Sequence, residues 1–118
     1  MEQADIQMMS YNFALRIISL YKVLVKNNEY TLSKQLLKSA TSIGANVFEA
    51  SAAISRKDFA NKMSIASKEA RETYYWLRLL RDSKISESDL TGYIKEITSI
   101  INVLTAIVKT TQKNLKKM

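Results

Sequence analysis

Three glutamates, Glu49, Glu69 and Glu72, with Asn46 one helical turn before the first, are the side chains best equipped for chemistry in this sequence. Carboxylates brought together bind a hard cation, or divide the work of acid and base between them. The same groups serve equally as structure. Lys68, Arg71 and Arg78 are placed to pair with them, and Asn46, Ser39 and Ser42 to donate hydrogen bonds. A carboxylate beside a core has to find such partners, because an unpaired buried charge is costly. The chain has no histidine and no cysteine. That removes the usual general base, most zinc sites, the Glu-x-x-His pairs of di-iron bundles and all thiolate or disulfide chemistry. No glycine-rich phosphate loop, nucleophile elbow or zinc-ligand spacing occurs. The expectation is a protein that is not an enzyme, with no catalytic residue, no metal, no cofactor and no small-molecule substrate.

A second constellation is Tyr74-Tyr75-Trp76. Consecutive helical residues point about 100° apart, so three aromatics in a row cannot share a face. Tyr74 falls on an apolar row and Trp76 on the row of Glu69 and Glu72. Tyr75 joins Lys68, Arg71, Arg78 and Asp82. An aromatic ring flanked by cations is a common way to hold single-stranded nucleic acid. The alternative is a solvated face on which arginine stacks on Tyr75. Lys109, Lys113, Lys116 and Lys117 form a further basic strip near the C-terminus. It suits a phosphate backbone or an anionic lipid surface, and it also complements the negative end of a helix dipole. Lys and Arg number 18 against 11 Asp and Glu, a net charge of +7, which favours polyanionic partners.

The elements that must position these residues are helices. There is no proline, there are only two glycines, and 47% of residues are hydrophobic. A strand-rich chain needs turn residues at short intervals, and a disordered one needs lower hydrophobicity. Apolar periodicity of three and four predicts helices over about 8–26, 32–54, 56–82 and 87–115. The first carries Phe13, Ile17, Leu20 and Leu24, after a polar and frayed start over residues 1–7. Asn27 and Asn28 mark a turn, after which Thr31 or Ser33 caps the second helix. Ser55-x-x-Asp58 and Ser86-x-x-Asp89 read as the capping starts of the third and fourth. The fourth helix has Leu90, Ile94, Ile97, Ile101, Leu104, Val108 and Leu115 as its core row, flanked by Ile100 and Ile107. The fold class expected is all-α, an antiparallel up-down-up-down four-helix bundle occupying residues 1–118 as one domain.

Along the second helix, Gln35, Ser39, Ser42, Asn46 and Glu49 make a polar strip beside the apolar row Leu36, Ala40, Ile43 and Val47. With Glu69, Glu72 and Trp76 opposite, this strip is expected to be a polar seam that fixes helix register and subunit packing. Gly44 costs about 1 kcal/mol of helix propensity against alanine, so a close packing contact is expected there. The second and third helices carry apolar or small residues on more than one face, which points to a homo-oligomer. The N-terminus lacks the pattern of a signal peptide, and Ile97–Val108 is too short to span a bilayer. A cytoplasmic protein with no membrane partner is the default.

The run Gln35-Leu-Leu-Lys-Ser39-Ala-Thr-Ser42-Ile43-Gly-Ala-Asn46-Val-Phe-Glu49-Ala50, then Phe59, Ile65-Ala66 and Lys68-Glu69-Ala70-Arg71-Glu72-Thr-Tyr-Tyr-Trp76-Leu77, resembles the bacterial four-helix-bundle family, whose members are also called 23S rRNA intervening-sequence proteins. Ala50 stands where that family usually has glycine, a departure that bears on helix curvature. The resemblance covers nearly the whole chain. It implies an antiparallel four-helix bundle, commonly a ring-like pentamer, with no catalytic residues to carry over. Some members are encoded inside intervening sequences of 23S rRNA genes. Related accessory proteins of diversity-generating retroelements are similar basic bundles that bind nucleic acid and a reverse transcriptase. The leading expectation is therefore a homo-oligomer that binds nucleic acid, RNA ahead of DNA, through Lys68, Arg71, Tyr75, Arg78, Lys109 and Lys113. The alternative is a protein–protein scaffold or accessory subunit, for example of a reverse transcriptase.

Overall fold

The apolar periodicity becomes four helices in the computed structural model, which describes residues 2–117, with the backbone alone for residues 2–5. The helices are α1 (Glu2–Lys26), α2 (Thr31–Ala50), α3 (Arg56–Ser83) and α4 (Thr91–Lys116). Among the described residues there is no strand. Ser39 meets Thr73 and Glu49 meets Lys62, so moving forward along α2 moves backward along α3. Arg16 of α1 lies over the Tyr93 ring and pairs with Glu96, closing α1 onto α4. The result is an all-α four-helix bundle measuring 51 × 22 × 22 Å.

Phe13, Ile17, Leu24, Leu36, Ile43, Met63, Leu77, Leu80, Ile97, Ile100 and Leu104 are fully buried along its axis. Burying each such side chain contributes about 1.5–3 kcal/mol. In α4 the buried line runs through Ile97, Ile100, Leu104 and Ile107, while Ile94, Ile101 and Val108 are half-buried. The centre of its inner face therefore lies between the two expected rows.

Four helix ends differ from the expectation, each for a local reason. α1 starts at Glu2 rather than near Met8, because Ile6 extends the row of Phe13 by two turns and is fully buried. Buried Ser10 joins it by donating to the Ile6 carbonyl at 2.7 Å. α2 is capped by neither Thr31 nor Ser33. The carboxylate of buried Glu29 accepts from the backbone N–H groups of Leu32 at 2.9 Å and Ser33 at 2.6 Å. Asn28 makes the preceding turn in the left-handed region, at φ 69°. At its other end α2 stops at Ala50, not Ile54, and the Ser51 hydroxyl donates to the Phe48 carbonyl at 2.6 Å. No core position lies beyond, and Ile54 is 94% exposed.

Ser55 caps α3 as expected, accepting from the Asp58 N–H at 2.9 Å. Ser86 and Asp89 do not start α4. The Ser86 hydroxyl accepts from the Ser88 N–H at 3.1 Å and the Asp89 carboxylate from the Thr91 N–H at 3.0 Å, so each holds a tight turn in the connection. That bond to Thr91 holds the Asp89 carboxyl below its usual range. A methyl group on Gly44 would lie 3.5 Å from the Ser10 carbonyl oxygen, an ordinary contact. The α1–α2 approach is close there, but it does not exclude alanine.

Candidate nucleic-acid interface

Lys68, Arg71, Tyr75 and Arg78 recur at three- and four-residue spacing, so they form one stripe on α3, and all are exposed. Arg71 reaches across to α4, donating to the Thr105 hydroxyl at 3.1 Å. The short connection between Ser83 and Thr91 turns α4 back along α3, against which it packs, so one turn back from Arg71 is Lys68 and one turn forward from Thr105 is Lys109. Those two lysines share a level of the bundle, with Lys113 one turn further along α4. The antiparallel packing thus joins the two basic constellations into one outer face of α3 and α4. Among the described residues, none of Lys68, Arg71, Arg78, Lys109 and Lys113 is in a salt bridge. Asp82, at the end of the stripe, is paired with Arg81 at 2.7 Å. That hydrogen bond holds the Asp82 carboxyl below its usual range.

The stacking differs from the expectation. Arg78 lies over the ring of Tyr74, 5.6 Å from its centroid, rather than over Tyr75. Tyr75, 53% exposed, meets Trp76 edge to face, with centroids 5.2 Å apart.

The polar strip lies against α3, with different partners from those expected. Thr73 donates to Ser39 at 2.8 Å, and Ser39 in turn reaches the Leu36 carbonyl at 3.3 Å. Asn46 donates to the Ser42 carbonyl and hydroxyl at 2.9 and 3.2 Å, within its own helix and not to a glutamate. Glu49 pairs with Lys62 at 2.9 Å, which holds the Lys62 ammonium above its usual range. Glu72 accepts from the Trp76 indole N–H at 3.2 Å. Gln35 is exposed at the end of the strip. Half-buried Glu69 has its carboxyl pushed up, first by burial and then by Glu72, against the pull of Lys68 and Lys38. The three glutamates are therefore not one site. Among the described residues no group of three or more carboxylates is placed to hold a metal ion.

Sequence reasoning missed Thr73, Lys62 and Glu29, each of which touches another element or caps one. It also placed the apolar surplus on the second and third helices. In the structure the outward-facing apolar side chains are chiefly on α1 and α2: Met8, Tyr11, Leu15, Ile18 and Phe48. On α3, Ile65, Trp76 and Leu79 are half-buried. A groove of about 630 Å³ runs between α1 and α2, lined by Met8, Tyr11, Ala14, Gly44, Ala45 and Phe48 among others.

The model of the family described as 23S rRNA-intervening sequence protein matches residues 2–106. The chain belongs to that family. The match takes in Lys68, Arg71, Tyr75 and Arg78 and stops short of Lys109 and Lys113, so the α4 half of the basic face lies outside what the family model describes. No curated protein matches. Among solved structures, the chain is similar to a protein of unknown function from the S23 ribosomal protein family of Bacteroides thetaiotaomicron. Sequence identity is 46% and the TM-score 0.86, over 92% of this chain and 99% of that one. This member of the intervening-sequence family thus shares its four-helix architecture with that relative nearly end to end. Among its described residues, no helix is long and apolar enough to cross a membrane.

Proposed function

We propose that this chain is a non-enzymatic, self-associating cytoplasmic protein that binds nucleic acid, RNA ahead of DNA, along the outer face of α3 and α4. The observation that carries the reading is the row of exposed cations Lys68, Arg71, Arg78, Lys109 and Lys113, in no salt bridge among the described residues and joined across two helices by the Arg71–Thr105 bond. Each lysine or arginine that meets a phosphate releases condensed counterions, so affinity from such a face falls steeply with salt. Tyr75 adds a ring on which an unpaired base can stack, an interaction worth about 1–3 kcal/mol. Unstacked bases are commonest in single-stranded RNA loops and ends.

The test is fluorescence anisotropy with a labelled single-stranded RNA, its DNA counterpart and a duplex, each across a salt series. Replacing Arg71 and Arg78 together by Glu weakens RNA binding roughly 100-fold, or about 2.7 kcal/mol. Unchanged affinity in that variant overturns the assignment of the surface. A second reading, a protein–protein scaffold or accessory subunit, is favoured by the exposed apolar face of α1 and α2, which nucleic acid does not need. It requires that neither RNA nor DNA be retained at physiological salt, while one protein co-purifies stably.

A further inference from the structure

Lys57, Ser64, Arg71 and Arg78 recur every seven residues along α3, with Lys68 and Tyr75 between them. On α4, Asn102, Lys109 and Lys116 recur at the same interval. A seven-residue repeat drifts by only about 20° each time, so each set keeps close to a straight line along its helix. The Arg71–Thr105 bond sets the two lines side by side. Counting back along α3 and forward along α4 from that bond puts Lys109 about level with Lys68, and Lys116 about level with Ala60.

The two lines complement each other. On the α3 line no cation stands between Lys57 and Lys68, and that stretch is faced by Lys109, Lys113 and Lys116 of α4. Positive charge therefore runs from Lys57 to Arg78, and its widest step, between Arg71 and Arg78, holds the exposed ring of Tyr75. Lys57 and Lys116 are exposed, and among the described residues neither is in a salt bridge. Carboxylates are kept off the line. Glu49 is taken by Lys62, Glu72 accepts from Trp76, and Glu69 feels Lys38 of α2. Asp82, paired with Arg81, closes the far end, and α4 has no acid after Glu96.

We infer that the furrow between α3 and α4 takes a single strand of nucleic acid lengthwise, in preference to a duplex, with Lys57 and Lys116 as further phosphate contacts. The inference rests on the nucleic-acid reading proposed above and names its substrate class and footprint. From Lys57 to Arg78 the track extends about 32 Å at 1.5 Å per residue. That is close to one full turn of a duplex, about 34 Å. Over such a length each strand of a duplex winds once around its axis, so it faces a straight line of cations for only part of the way. A single strand has no winding to keep and follows the whole line. Its bases also turn out freely onto Tyr75, whereas paired bases are stacked on one another inside. At the stacked rise of about 3.4 Å the track holds at most about ten nucleotides, and fewer when the strand is stretched.

The experiment is fluorescence anisotropy on the full chain with labelled oligouridylates of about 4 to 16 nucleotides, the range of single-strand site sizes. The longest is also measured as a duplex with oligoadenylate, and every titration is repeated across a salt series. Affinity is expected to rise with length up to about ten nucleotides and then level off, with the duplex bound at least about tenfold more weakly. One phosphate at each of Lys57, Lys68, Arg71, Arg78, Lys109, Lys113 and Lys116 gives log K a slope of about −5 against log salt. Lys57→Gln with Lys116→Gln brings that slope to about −3.5. Lys22→Gln with Lys26→Gln, on α1, removes the same charge and leaves the slope unchanged. A duplex bound as tightly as the single strand, a plateau at about four nucleotides, or a slope untouched by Lys57→Gln with Lys116→Gln overturns this inference alone. Absence of binding to either form at low salt overturns both it and the reading it rests on.

Discussion

The outer face of α1 and α2 and the outer face of α3 and α4 are each a pair of neighbouring helices turned to solvent, and they share almost no chemistry. On the first, Met8, Tyr11, Leu15 and Phe48 are exposed with no charge among them. On the second, Lys68, Arg71, Arg78, Lys109 and Lys113 are exposed, and among the described residues none of them is in a salt bridge. Both faces rest on the same inner core, so the core does not decide which way a face is used. What separates them is the residue type at positions that the fold leaves open. An apolar side chain left in water is worth covering, and a cation left in water is worth a phosphate only if its field is not already neutralised.

Three tests would break or sharpen that comparison. The largest effect is expected within α1 itself. Phe13→Ala, on the inner row, costs about 3–5 kcal/mol in denaturant unfolding. Tyr11→Ala, on the outer row, costs about 0.5 kcal/mol or less in the isolated protomer. Equal costs would mean that the two rows are not inside and outside.

Next come two of the exposed tyrosines, Tyr11 and Tyr75, 63% and 53% exposed on opposite sides of the bundle. Tyr75→Ala weakens single-stranded RNA binding by about 1–2 kcal/mol, roughly tenfold, and Tyr11→Ala leaves it unchanged, as read by anisotropy at fixed salt. A loss in Tyr11→Ala alone would reverse the assignment of the faces.

The smallest effect belongs to the seam between them. Burial holds the Glu69 carboxyl above its ordinary value, so the folded chain keeps that proton to higher pH than the unfolded chain does. Stability therefore falls as pH rises through the interval between the two values, and is untouched below both. Glu69→Gln is expected to raise the melting temperature slightly at pH 7 and not at all below the usual carboxylate range. A gain that persists in acid would point to packing instead of charge.

The helix count and most of the core were legible because periodicity of three and four repeats over many turns. Phe13, Ile17, Leu20 and Leu24 could be named from spacing alone. Ile6 could not, since one apolar residue among polar neighbours makes no pattern until its helix is known to continue. Ser86 and Asp89 have the spacing of a helix start, yet their oxygens take the Ser88 and Thr91 N–H groups instead. Spacing does not reveal which donor a short side chain will choose. The glutamate partners were hidden for another reason. Lys62 is 13 residues from Glu49, across a turn, and only the antiparallel register of α2 and α3 brings them together. The basic stripe on α3 was legible as a stripe. That it continues onto α4 depends on the level at which Arg71 meets Thr105.

Trp76 is the sole tryptophan of the chain. Its indole donates to Glu72 and its ring takes Tyr75 edge-on, while the apolar face of α1 lies across the bundle. The protein therefore carries a built-in optical reporter for one of its two sides. A base settling on Tyr75 disturbs the ring beside the indole and changes its emission. Contact at Leu15 or Phe48 occurs on the other side of the core and is expected to leave that emission unchanged. One unlabelled titration, followed at a single wavelength, distinguishes which side of the molecule has been occupied.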